Sequence, residues 1–102
     1  MPLSAAQKRY VEEVRRIVLQ ALDPDAGKAY LFGSFAAGRA RRGSDIDVAI
    51  WPSEKARGSL LSEIRERLEE STVPYKVDVV DLRSAAPEFR EKVLREAVPW
   101  KG

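Results

Sequence analysis

Two carboxylates one residue apart open an apolar run, Asp45-Ile46-Asp47 followed by Val48-Ala49-Ile50-Trp51. In a strand, side chains two apart lie on one face. Asp45, Asp47 and Ala49 therefore share a face, and Ile46, Val48 and Ile50 share the other and can enter a core. Neighbouring like charges disfavour ionisation of each other unless a cation joins them. Ten residues upstream, the apolar run Ala29-Tyr30-Leu31-Phe32 ends in Gly33-Ser34. A turn of backbone N–H groups leading into a helix suits a phosphate. Glycine lets the backbone approach without a Cβ, and a serine hydroxyl can donate a hydrogen bond. A cation site beside a phosphate site predicts metal-dependent chemistry on a nucleoside triphosphate. The blander alternatives are a simple Gly-Ser turn and an Asp-x-Asp that caps and solubilises a sheet edge.

Composition narrows the chemistry. The 102 residues contain no cysteine and no histidine, which removes disulfides, thiolate sites and the commonest general base. Carboxylates remain, and they select hard, oxygen-loving cations such as Mg²⁺. A net charge of +2 is too small to argue for nucleic acid, and none is expected as a direct partner. No apolar run is long enough for a membrane span and no signal-peptide pattern stands at the start, so a cytoplasmic protein is expected. The length suits one domain, residues 1–102.

The elements that must position these residues follow from periodicity. Ser4 to about Leu22 reads as an amphipathic helix, with Ser4 and Gln7 as a capping box and Tyr10, Val11, Val14, Ile17, Val18, Ala21 and Leu22 as its inner face. Asp23 to Gly27 breaks the chain. Strands are expected near 28–33 and 45–51, with the basic loop of Arg39, Arg41 and Arg42 between them. Those arginines are either a solvated surface or a reach towards the triphosphate or a partner. After a polar loop over 52–58, a second helix spans about 59–71 on Leu60, Leu61, Ile64 and Leu68. Val73-Pro74 ends it.

Residues 75–82 alternate as a third strand, which sends Asp78 and Asp81 to opposite faces. Only one of them can join Asp45 and Asp47. Pro87 suits the first turn of a final helix carried by Phe89, Val93, Leu94 and Ala97, and Val98-Pro99-Trp100 closes the chain. Trp51 and Trp100 are core or interface aromatics, with core the expectation for at least one. The order predicts an α/β (α+β) domain with one small sheet and flanking helices.

Gly33-Ser34, ten residues, then Asp45-x-Asp47, within Gly-Ser-Phe-Ala-x-Gly-x-Ala-Arg-x-x-Ser-Asp-Ile-Asp, resembles the signature of the DNA polymerase β-like nucleotidyltransferases, most closely their minimal (MNT) branch. The resemblance covers nearly the whole chain, with its specific motifs at 31–50 and 75–82. It implies the nucleotidyltransferase fold, with a mixed three-stranded sheet, and a third carboxylate on a strand interior. That setting matches Asp78, and Asp81 is left as a turn or capping residue. It further implies ATP as substrate and two Mg²⁺ ions, about 3.5–4 Å apart in such sites. Asp45, Asp47 and Asp78 would hold them, with Gly33 and Ser34 on the phosphates. The family usually carries an arginine or lysine where Ala37 stands, which leaves open which basic side chain serves in its place.

Larger members bring extra domains for the acceptor. A chain of this size is expected to rely on a partner, and the resemblance points to a HEPN protein in a hetero-oligomer. The expectation is an antitoxin that transfers AMP to a tyrosine of a HEPN toxin. Two alternatives stand beside it: an antitoxin that only binds its partner, and transfer to a small molecule held by a partner subunit.

Overall fold

The computed structural model describes residues 2–22 and 24–101, the last by its backbone alone. Asp23, part of the predicted break, lies outside the described residues. The chain runs α1 (Ala5–Leu22), β1 (Gly27–Phe32), α2 (Gly33–Ala36), β2 (Ile46–Pro52), α3 (Leu60–Glu69), β3 (Val77–Asp81), α4 (Pro87–Glu96) and β4 (Val98–Lys101). The capping box at the head of α1 forms. Ser4 N–H donates to Gln7 Oε1 at 2.8 Å, and Gln7 N–H donates to Ser4 Oγ at 3.1 Å.

The sheet order is β3-β2-β1-β4. β1 runs antiparallel to β2 and to β4, whereas β2 and β3 are parallel. A parallel pair needs a crossover, and α3 provides it. The mixed sheet is as expected, but it has four strands and not three. Val98-Pro99-Trp100-Lys101 is too short for a period-2 signal. It becomes a strand only by pairing with β1 across some seventy residues of chain, at Leu31↔Val98 and Tyr30↔Pro99. Proline is tolerated there because β4 is an edge strand.

The two sheet faces are unequal. Ile46, Val48 and Ile50 are fully buried beneath α1 and α3, with Val14, Val18 and Leu22 from the first helix and Leu60, Ile64 and Leu68 from the second. Ala49, one step out of phase, points to the opposite face and is buried there with Leu82 and Val93. Among the described residues that second face is covered by α4 and by Leu82 from the turn after β3, and the expected inner side of α4 is partly open. Val93 is buried and Ala97 packs beside it, while Phe89 and Leu94 are 37% and 41% exposed. The ten-residue helix meets a narrow strip of sheet, which leaves Phe89 and Leu94 only partly covered.

Arg90 ties α4 in place. Its Nε donates to Leu82 O at 2.9 Å, and its Nη2 donates to Arg83 O and Ala85 O, each at 3.1 Å. The guanidinium also lies 5.2 Å from the Trp51 ring centre. Trp51 and Trp100 are both half-buried, against the smaller and larger cluster respectively.

Candidate active site

The strand register builds the site. In parallel β2 and β3, Asp47 lies directly beside Asp78, and in antiparallel β1 and β2, Asp47 lies beside Phe32. Directly paired residues share a face, so Asp47 and Asp78 emerge together on the α4 side of the sheet. Asp47 is half-buried and Asp78 exposed.

Asp45 sits just ahead of β2, two residues before Asp47. The loop in front of it is fixed by a reciprocal pair: Arg41 N–H donates to Ser44 Oγ at 2.8 Å and Ser44 N–H donates to Arg41 O at 3.0 Å. Ile46 N–H, donating to Lys76 O at 2.9 Å, anchors the start of the strand. Asp47 feels the charges of both other carboxylates. Desolvation first, then the charges of Asp78 and Asp45, push the Asp47 carboxyl above its usual range.

Asp81 faces away from this group. Its Oδ1 accepts from Arg83 N–H at 2.9 Å and its Oδ2 from Ser84 Oγ at 3.1 Å, so its carboxylate is spent on the turn after β3.

Gly33 brings the Gly-Ser turn onto the carboxylates. Its φ of +74° is in the left-handed region, which costs other L-residues ~1–2 kcal/mol. A Cβ built there would overlap Asp47 Oδ2 and stand 3.0 Å from Asp47 Cγ. The residue is glycine for a reason the sequence did not disclose. Its missing side chain makes room for a carboxylate of the neighbouring strand.

The turn is held from below by Phe35. That ring is 2% exposed, packs edge-on to Tyr75 at 5.1 Å, and Tyr75 in turn meets Tyr10 at 6.0 Å. The Ser34 hydroxyl makes no hydrogen bond among the described residues, while Ser34 O accepts from Arg39 N–H at 2.9 Å.

A cavity of about 470 Å³ opens between this turn and α4, with Gly33 and Ser34 on one wall and Phe89 and Lys92 on the other. Its size falls in the ~300–1,000 Å³ range of small-ligand pockets. Arg39 borders it, whereas Arg41 and Arg42 do not. Lys92 stands on the exposed side of α4, with no sequence signal that marks it. Only the packing of α4 beside β1, marked by the edge-on Phe32–Phe89 contact at 5.9 Å, carries it to the site.

Among the described residues, no three Asp or Glu side chains stand as a finished metal-binding group. The donor chemistry nevertheless fits a hard divalent cation. Asp45, Asp47 and Asp78 are all oxygen donors, and their mutual repulsion is what a cation would relieve.

Paired carboxylates on adjacent strands, set against a glycine turn that opens on a small-ligand cavity, make an arrangement for handling phosphates. Comparison with known proteins places the chain. Residues 15–99 match the family described as Polymerase beta, Nucleotidyltransferase, and the chain belongs to that family.

It is 34% identical over 80 residues to the Haemophilus influenzae protein named "Probable protein adenylyltransferase MntA", covering 78% of this chain and 69% of that one. It is 36% identical over 67 residues to the Shewanella oneidensis "Protein adenylyltransferase MntA", covering 66% of this chain. The match spans about half, 48%, of that relative's length. A solved structure described as a tri-AMPylated Shewanella oneidensis HEPN toxin in complex with MNT antitoxin superposes with a TM-score of 0.66 at 25% identity, over 94% of this chain and 72% of that one.

Proposed function

We propose that this chain is the catalytic antitoxin of a two-protein pair, transferring AMP from ATP to a tyrosine of a partner HEPN toxin. The observation that carries the reading is the fit of Gly33 against Asp47. It joins a turn suited to phosphates and a pair of neighbouring carboxylates into one site beside a ligand-sized cavity. The names of the relatives and the AMPylated HEPN complex support the acceptor and the partner.

In this reading Gly33 and Ser34 hold the phosphates, with Ser34 Oγ free to donate to a phosphate oxygen. Asp45, Asp47 and Asp78 would hold Mg²⁺. Bound there, divalent metal lowers the pKa of the attacking hydroxyl and neutralises phosphate charge. The tyrosine oxygen forms a bond to the α-phosphorus as the bond to the bridging oxygen breaks. Pyrophosphate leaves and the hydroxyl proton passes to water. The absence of histidine is no obstacle, because a phenol near a divalent cation does not need a basic imidazole.

Incubation with the HEPN partner, ATP and Mg²⁺ should add the mass of AMP to a partner tyrosine. Asp45→Asn should stop the transfer and leave the complex intact, since the amide keeps the shape and loses the charge. An unmodified partner with the wild-type chain, together with full cellular protection by Asp45→Asn, would refute catalysis in favour of a purely binding antitoxin. Transfer to a small molecule and not to the HEPN chain would move the acceptor.

A further inference from the structure

Ala37 stands where the family resemblance implies a basic side chain, so this chain needs another source of positive charge for a triphosphate. Among the described residues, six Lys and Arg side chains are already engaged. Arg15, Arg16, Lys55 and Arg57 form ion pairs with carboxylates, and Arg65 and Arg90 donate to backbone carbonyls.

Arg39 and Lys92 differ in two respects. Both border the cavity beside Gly33 and Ser34, and neither side chain has a hydrogen-bond or ion-pair partner among the described residues. They also approach from different parts of the chain. Arg39 comes from the loop two residues after Ala37, and Lys92 comes from the middle of α4, across the cavity. Glu96, one turn further along α4, is the single carboxylate on the lining, against two cations. It pairs with neither of them.

We propose that Arg39 and Lys92 form a two-sided clamp for the β- and γ-phosphates of the bound nucleotide, replacing the charge missing at Ala37. The clamp rests on the nucleotidyl-transfer reading above. Guanidinium and ammonium groups recognise phosphate oxygens through charge-assisted hydrogen bonds, and both are needed because neither is buried. A clamp at this position favours nucleoside triphosphates over monophosphates and holds the pyrophosphate while the α-phosphorus is attacked. Because Lys92 belongs to α4, nucleotide binding also fastens that lightly packed helix to the Gly-Ser turn.

The test is calorimetric titration of the intact chain with ATP and with AMP in Mg²⁺. Arg39→Gln and Lys92→Gln should each weaken ATP about tenfold, leave AMP unchanged, and leave the thermal melt unchanged. Lys92→Arg should retain most of the affinity. Ala37→Arg introduced into the Arg39→Gln/Lys92→Gln double variant should recover much of it. Undiminished ATP affinity in the double variant, an equal loss for ATP and AMP, or no recovery with Ala37→Arg would overturn the clamp. Failure of the wild type to bind any nucleotide would instead overturn the functional reading beneath it.

Discussion

Replacing Gly33 by alanine tests the contact on which the site is built, in the metal-free protein and without any activity assay. Two costs are expected. The backbone φ of +74° penalises a Cβ by ~1–2 kcal/mol. The added methyl would also overlap Asp47 Oδ2 and stand 3.0 Å from Cγ and 3.3 Å from Cβ, an overpacking cost of ~1–3 kcal/mol. Together these make ~2–5 kcal/mol, and at ~4–8 °C per kcal/mol for a domain near this size, the melting temperature should fall by at least about 8 °C.

The two costs separate in a double-mutant cycle. Asp47→Ala removes the two atoms that clash and leaves only the tolerable Cβ contact. Gly33→Ala should then cost only its backbone share, with a coupling of ~1–3 kcal/mol between the sites. Urea denaturation of the four proteins in EDTA measures each corner. A cost of Gly33→Ala that is the same in both backgrounds within ~0.5 kcal/mol would show that Asp47 does not fill the space the glycine leaves.

Three further outcomes are expected. Burial and the neighbouring charges raise the Asp47 pKa in the fold, so its protonated form is favoured there, and the stability this contributes at low pH is lost as pH rises through the folded pKa. Asp47→Asn should therefore melt higher than the wild type at neutral pH in EDTA, by a few tenths to about 1 kcal/mol, the range for like charges facing across strands. The advantage should vanish at acid pH, and an advantage independent of pH would refute the electrostatic cause. Mg²⁺ should raise the melting temperature of the wild type and much less that of Asp47→Asn, as scanning calorimetry can follow. Arg90→Lys should destabilise by ~1–3 kcal/mol by chemical denaturation, because an ammonium cannot serve three carbonyls in a fork and leaves part-buried acceptors unpaired; a loss below ~0.5 kcal/mol would mean α4 is held by its apolar contacts and not by Arg90.

Local periodicity decided by itself which aspartates could meet. A period of two separated Asp78 from Asp81 on β3, and the register then paired Asp47 with Asp78 and left Asp81 to its turn, with Asp45 just ahead of β2. The Ser4–Gln7 box and the stripe of Val14, Ile17, Val18 and Leu22 were legible for the same reason, since each is set by residues within a turn or two of one another.

What depends on contacts distant in sequence was not legible. The fourth strand exists because β1 offers an edge to residues that carry no strand pattern of their own. The hold of Arg90 on α4 needs carbonyls from a turn whose shape periodicity does not specify. Gly33 meets a carboxylate that lies on the next strand, and Lys92 comes opposite Arg39 across the cavity because α4 folds back beside β1. Chain order gives side-chain direction within an element, but the distance between elements is decided only when the sheet closes and its two faces are packed.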